Sequence, residues 1–151
     1  KTIEVKIQKN LPSIYADHEK IKQVIFNLLG NALKFTGTGA RITVAAGLVT
    51  EKILTAYKLK KEDNDLLKDI TGDFVEFRVS DTGYGIPENE LDKIFDKFYQ
   101  IGGETPKKPK GTGLGLSIAA EIVKLHNGVI GVESKFGKGS TFKFIIPVWK
   151  Q

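Results

Sequence analysis

The sequence predicts an α+β two-layer sandwich in which one mixed β-sheet is covered on one face by about three helices. Three observations carry that expectation. Short segments alternate apolar and polar residues with the period of a strand, other segments repeat apolar residues at helical spacing, and the two kinds follow in the order strand, helix, strand, strand, helix, helix, strand, strand. At 151 residues and 40% hydrophobic composition there is enough apolar material for one core and too little for two. Residues 1–151 therefore read as a single domain.

Ile3, Val5 and Ile7 alternate with polar residues, which predicts a half-buried, edge-like first strand. Asp17 is a suitable N-cap, and Ile21, Val24, Ile25, Leu28, Leu29, Ala32 and Leu33 then keep helical spacing, so a helix is expected from about Asp17 to Phe35. The Gly37–Gly39 turn ends it. Ile42 and Val44, then Val75, Phe77 and Val79, mark two strands. Between them, residues 47–73 mix Leu48, Ile53, Tyr57, Leu66, Leu67 and Ile70 with many charges, and fit strand ends or a short helix. Pro87 begins a second helix, with Leu91, Ile94, Phe95 and Phe98 on one face. A Gly-, Pro- and Lys-rich stretch from Gly102 to Gly115 is expected to be a mobile loop. The third helix carries Leu116, Ala119, Ala120, Ile122 and Val123 and stops at Asn127-Gly128. Val129–Val132 and Phe142, Phe144, Ile146 and Val148 supply two last strands around a Gly137–Gly139 turn.

Composition narrows the chemistry. There is no cysteine and only two histidines, which excludes a disulfide framework, a thiolate metal site and a His-rich one. No apolar run is long enough to span a membrane, and no leader or initiating Met is present, as expected of a soluble, cytoplasmic piece of a longer chain. A net charge of +5, from 23 Lys and Arg against 18 Asp and Glu, suits a phosphorylated ligand. A nucleic-acid surface is not expected. Only Arg41 and Arg78 are arginines, and neither the cluster at Lys58, Lys60 and Lys61 nor that at Lys107, Lys108 and Lys110 is interleaved with aromatics.

Four patches carry candidate chemistry. Gln23, Asn27, Asn31 and Lys34 form one polar stripe on the first helix. Asn is a poor helix former, so two of them one turn apart suggest a ligand; their carbonyl oxygens suit Mg²⁺ and Lys34 suits phosphate, although an accidental polar face fits too. Asp81-Thr82-Gly83-Tyr84-Gly85 follows a strand, where the carboxylate is placed to accept from an exocyclic amine and the glycines allow a sharp turn; a plain Asp-Gly turn has the same form. Gly111-Thr112-Gly113-Leu114-Gly115-Leu116 opens the third helix, whose free N–H groups attract an anion. It matches neither the Walker nor the dinucleotide spacing, and alone is equally a hinge. Gly137-Lys138-Gly139-Ser140-Thr141 reads first as a hairpin turn.

Taken in chain order, these patches resemble the ATP-binding domain of sensor histidine kinases, of the Bergerat-fold superfamily that also holds gyrase, mismatch-repair and chaperone ATPases. The match runs from the asparagine-bearing segment Asp17–Thr36, through Asp81-x-Gly-x-Gly, Phe95-Asp-Lys-Phe98 and Gly111-x-Gly-x-Gly-Leu116, to Gly137-x-Gly-Ser-Thr141, or about Ile3 to Val148. By that resemblance the cofactors are ATP and Mg²⁺. Asn31 would hold the metal, with Asn27 and Lys34 beside the phosphates in the catalytic roles. Asp81 would recognise adenine, Gly83 and Gly85 would give access, and Thr141 would lie near the nucleotide. Gly111, Thr112, Gly113, Leu114, Gly115 and Leu116 would cradle phosphate in a lid spanning about 100–114, whose base Phe95 and Phe98 would pack, although both equally suit a core. Asn27 stands where the superfamily's ATPases carry a water-activating Glu, which implies transfer rather than hydrolysis.

The implied acceptor is a histidine on a separate dimerisation domain of the same protein, and the downstream partner a response regulator receiver domain. The isolated domain is expected to be a monomer and the full-length protein a homodimer, membrane-anchored or not. His18 and His126 read as surface or capping residues, not acceptors. A related ATPase, a Ser/Thr kinase and a nucleotide-sensing module without catalysis are the alternatives. Two features depart from the pattern: Gln100 stands where relatives often have Arg, leaving the γ-phosphate to Lys107, Lys108 or Lys110, and the 47–73 segment is longer than usual.

Overall fold

The computed structural model describes residues 1–50, 72–99 and 114–149. Among the described residues five strands form one mixed sheet: β1 (Thr2–Ile7), β2 (Arg41–Val49), β3 (Phe74–Asp81), β4 (Val129–Lys135) and β5 (Gly139–Pro147), in the spatial order β1-β2-β3-β5-β4. β1 and β2 are parallel and every other pair is antiparallel. Two α-helices among the described residues, α1 (His18–Lys34) and α2 (Gly115–Leu125), lie on one face. This is the predicted two-layer sandwich. Residues 51–71 and 100–113, which include the lysine clusters and most of the expected lid and insert, lie outside the described residues; at the described ends of the 47–73 segment, Gly47, Leu48 and Val49 belong to β2, and Gly72 and Asp73 lead into β3.

α1 forms where the apolar spacing places it. The Asp17 carboxylate accepts the Lys20 N–H at 3.2 Å, occupying a donor that the first turn leaves unpaired. Ile21, Val24, Leu28 and Ala32 then make one buried stripe. α2 buries Leu116, Ala119, Ile122 and Val123. Asn127, in the left-handed region at φ 60°, ends it: its N–H donates to the Lys124 carbonyl while that of Gly128 reaches back to the Val123 carbonyl at 2.9 Å. The two helical stripes close over Val79, Phe142, Phe144 and Ile146 to form the core.

Two hydrogen bonds pin the helices antiparallel. Near the start of α2, Asn27 Nδ2 donates to the Gly115 carbonyl at 3.1 Å. At its other end, the Asp17 N–H donates to His126 Nε2 at 3.1 Å. An accepting Nε2 requires the proton on Nδ1, which donates to the Ile122 carbonyl at 2.8 Å. His126 is thus a neutral staple with both ring nitrogens engaged.

Three expectations need correction. The second helix is absent: residues 88–90 form a 3₁₀ turn, and successive three-residue hydrogen bonds (Glu90 to Pro87, Lys93 to Glu90, Asp96 to Lys93, Tyr99 to Asp96) continue it as a chain of tight turns. Those turns still bury Ile94, which satisfies the apolar spacing without an α-helix. Phe98, at φ 64° and 72% exposed, is not a core residue, whereas Phe95 meets Phe142 edge-on at 6.4 Å. Finally, Ile3, Val5 and Ile7 are not half-buried. They share the helix-side face, but the helices pack over β3, β4 and β5 and leave β1 bare.

Gly30 lies inside α1, where a glycine costs chain entropy, and an added methyl would meet nothing within 4 Å. Gly30→Ala is expected to raise stability by about 0.5–1 kcal/mol in chemical denaturation; an unchanged or lower midpoint would contradict the open environment.

Candidate functional site

The site begins where β3 ends. Strand alternation puts Val75, Phe77, Val79 and Asp81 on the helix-side face, so the last side chain of the apolar series is a carboxylate beneath the C-terminal end of α1. Asp81 forms a narrow cleft with Asn31, Phe35, Gly85, Ile86, Ser140 and Phe142, enclosing about 20 Å³. That is room for little more than a water molecule, so a larger ligand must part these walls. A roomier groove of about 440 Å³ lies against α1, lined by Ile14, Ala16, His18, Ile21, Lys22 and Ile25. It holds no carboxylate and none of the candidate site residues named from the sequence, so chemistry and not volume selects the first cleft.

Asp81 is strained electrostatically rather than sterically. Burial raises its pKa above the usual carboxylate range, and the amides of Gly83 and Ser140 partly offset this by hydrogen-bonding the ionised form. The Gly83 N–H donates to Oδ1 at 2.9 Å. A half-buried carboxylate whose charge is only partly compensated is suited to accept a further N–H donor from a ligand.

The glycines hold this arrangement by admitting backbone, not by leaving room for a ligand. A Cβ on Gly83 would lie 2.3 Å from the Phe35 carbonyl oxygen and 2.8 Å from Thr36 Cγ2, so the loop is pressed against the end of α1. Gly85, at φ 73°, would meet the Lys135 carbonyl oxygen at 2.2 Å, and Gly139 the Asp81 carbonyl oxygen at 2.1 Å. Hydrogen bonds brace the same loop: the Ile86 N–H donates to Ser134 Oγ at 2.7 Å, and Ser134 Oγ pairs with Ser140 Oγ at 2.8 Å.

The other sequence candidates divide. Asn31 joins Asp81 and Gly85 in the cleft. Asn27 reaches α2 through Gly115, and Leu114 precedes that helix, its carbonyl accepting from Ser117 Oγ and the Ile118 N–H. Lys34 is exposed in the last turn of α1. Leu116 is a core residue, not a wall of the cleft. Thr141 faces the opposite side of the sheet, where its hydroxyl meets that of Ser80 at 3.0 Å. Gly111, Thr112 and Gly113 lie outside the described residues. Ser140, which the sequence reading passed over, lines the cleft from which Thr141 points away. The signal was available: Ser140 shares the parity of Phe142, Phe144 and Ile146, and therefore their face.

The fold and its cleft define a Bergerat-type sandwich with its polar site at the sheet end nearest α1. The chain belongs to the histidine kinase-, DNA gyrase B- and HSP90-like ATPase family, whose model matches residues 16–150. It is 37% identical over 141 residues to the adaptive-response sensory kinase SasA of Synechococcus elongatus, covering 93% of this chain and 30% of that protein. It is 42% identical over 140 residues to the hybrid signal transduction protein dokA of Dictyostelium discoideum, covering 91% of this chain and 7% of that one. The full-length ShkA structure in complex with AMPPNP superposes with a TM-score of 0.71 at 27% identity, over 99% of this chain and 26% of that chain. The chain thus spans less than a third of each.

Two substitutions test this geometry. Because the folded-state pKa of Asp81 stands above its unfolded value, ionised Asp81 opposes folding, and that cost sets in as pH rises through the carboxylate range. Asp81→Asn should therefore leave the unfolding midpoint at neutral pH no lower than that of the parent, while adenine-nucleotide affinity falls by about 1–3 kcal/mol in calorimetry. A destabilised variant with normal affinity would remove Asp81 from the site. Gly85→Ala, facing both a positive φ and a backbone clash, should cost about 2 kcal/mol or more in denaturation; a neutral effect would contradict the packing.

Proposed function

We propose that this chain binds Mg²⁺-ATP in the Asp81 cleft and positions the γ-phosphoryl group for transfer to a histidine on a separate dimerisation domain of the same protein. The observation that carries the reading is the convergence of Asp81, Asn31 and Ser140 on one cleft, with Asn27 tying its flank to the start of α2. The half-buried Asp81 carboxylate is suited to the exocyclic amine of adenine. The N-terminal turn of α2 offers unpaired amides to phosphate, and Lys34 offers a cation at the end of α1.

The donors fit the metal. Asn31 contributes a single neutral oxygen, which suits an ion that keeps its waters and arrives largely satisfied by phosphate oxygens. When bound, the metal supplies charge neutralisation. The remaining work falls to the chain: orienting the purine, holding the phosphates at a helix terminus and narrowing the cleft against water. Asn27 is a neutral amide already engaged with the Gly115 carbonyl, so it does not serve as a base for water. That favours transfer to another acceptor over hydrolysis.

The relatives' names as sensory and hybrid kinases support a place in two-component signalling; a receiver-domain partner, a cytoplasmic site of action and a homodimeric full-length protein complete the proposal. Among the described residues no helix is long and apolar enough to cross a membrane.

Incubation with radiolabelled ATP, Mg²⁺ and a histidine-bearing helical dimerisation domain should label that domain on histidine while free phosphate accumulates slowly. Rapid phosphate release without any acceptor would favour an ATPase, and tight binding without label a sensing module. Asn31→Ala should lose the Mg²⁺-dependent part of ATP affinity and keep the metal-free part in paired titrations; equal losses with and without metal would contradict the role given to Asn31.

A further inference from the structure

We propose that the outer edge of β1 is a self-recognition surface through which two copies of this chain pair antiparallel, joining their sheets into one. β1 is the edge of the sheet, and its only described neighbour is β2. All six of its residues are exposed, with 49%, 62% and 65% of the surface of Ile3, Val5 and Ile7 open. An edge that combines free backbone groups with an apolar row is the kind that recruits another strand.

Backbone phase decides which residues meet. The N–H groups of Thr2 and Gln8 donate inwards to the Ala40 and Ala46 carbonyls of the β2 side. By alternation the N–H and C=O groups of Ile3, Val5 and Ile7 point away from the sheet. An antiparallel two-fold partner then matches odd residues to odd ones, and the residue on the axis sets the register. Centred on Glu4 or on Lys6, the axis sets that charge against its own copy. Centred on Val5, it sets Glu4 opposite Lys6 twice, Ile3 opposite Ile7 twice and Val5 opposite Val5. The sequence of β1 is therefore complementary to itself in one register, in charge on one face and in apolar contact on the other.

The neighbouring structure agrees with that register. The apolar row faces the helix side, where Phe26 and Leu33, seven residues apart on one stripe of α1, are also exposed. Lys1 Nζ donates to the Leu33 carbonyl at 2.6 Å, bringing that stripe to the start of β1. Lys1 and Lys9 fall opposite each other at the strand ends, a repulsion that keeps the contact weak and reversible. Ile3 is level with Ile42, and Ile42 with Asp81, so each cleft lies by the N-terminal end of its own β1. The two-fold axis sends the clefts to opposite ends of the joined sheet, and pairing leaves both open. The inference is independent of the function proposed above and departs from the monomer expected of the isolated domain.

Sedimentation velocity on the 151-residue chain, from about ten micromolar to about one millimolar, should show a concentration-dependent shift from monomer to dimer. Val5→Pro removes one outward N–H and leaves the inward bonds to β2 intact, so it should stay monomeric with an unchanged circular dichroism spectrum. Glu4→Lys and Lys6→Glu should each weaken pairing at least about fivefold. Mixed in equal amounts, those two should regain it as heterodimer, since both pairs between positions 4 and 6 are again of opposite sign; this arm decides the question even if Val5→Pro misfolds. A parent that remains monomeric throughout, a dimer that survives Val5→Pro, or a mixture no stronger than either variant alone would overturn the proposal.

Discussion

The cleft depends on close backbone approach around the end of β3. Three glycines let three chain segments meet there at distances no side chain permits: Gly83 against the end of α1, Gly85 against the β4–β5 turn and Gly139 against Asp81 itself. With the backbones locked in that way, the Asp81 carboxylate has nowhere to retreat from burial. Its raised pKa is the electrostatic cost of a position set by packing. The adenine-recognition role proposed for it draws on that cost, because a carboxylate short of partners gains more from a new donor than one already satisfied in water.

Other parts of the structure hold the cleft in register. α1 brings Asn31 to it and α2 presents its N-terminal turn nearby, and the two helices are fixed relative to each other by Asn27 at one end and the His126 staple at the other. The same Asn27 amide that links the helices stands in the polar stripe facing the proposed phosphates. Movement of α2 on ligand binding would therefore be felt at Asn27 first. The sheet supplies a rigid floor whose apolar face is spent on the core, leaving polar atoms at one end alone.

Much of this was legible in the sequence. α1 was predicted within a residue at each end because its apolar period, Asp17 cap and glycine stop agree. The end of α2 was equally plain, although Asn127 and not Gly128 takes the left-handed conformation. The 87–98 segment misled because an apolar residue every third or fourth position satisfies a run of tight turns as well as a helix. β1 misled differently: alternation reports that one face is apolar, not that anything covers it. Thr141 was chosen over Ser140 by motif, where strand parity would have given the reverse. The clash distances behind Gly83, Gly85 and Gly139 come from segments distant in the chain, and no local pattern announces them.

The central claim, that adenine nucleotide enters between α1 and the end of β3, is tested most directly by titrating ATP into isotope-labelled protein and following backbone amide shifts. The account predicts saturable changes concentrated at Asn31, Asp81, Gly83, Gly85 and Ser140, with Thr141 and the β1 residues little affected. Saturable changes clustered instead around Ile14, His18 and Lys22, or no changes at millimolar nucleotide, would contradict it.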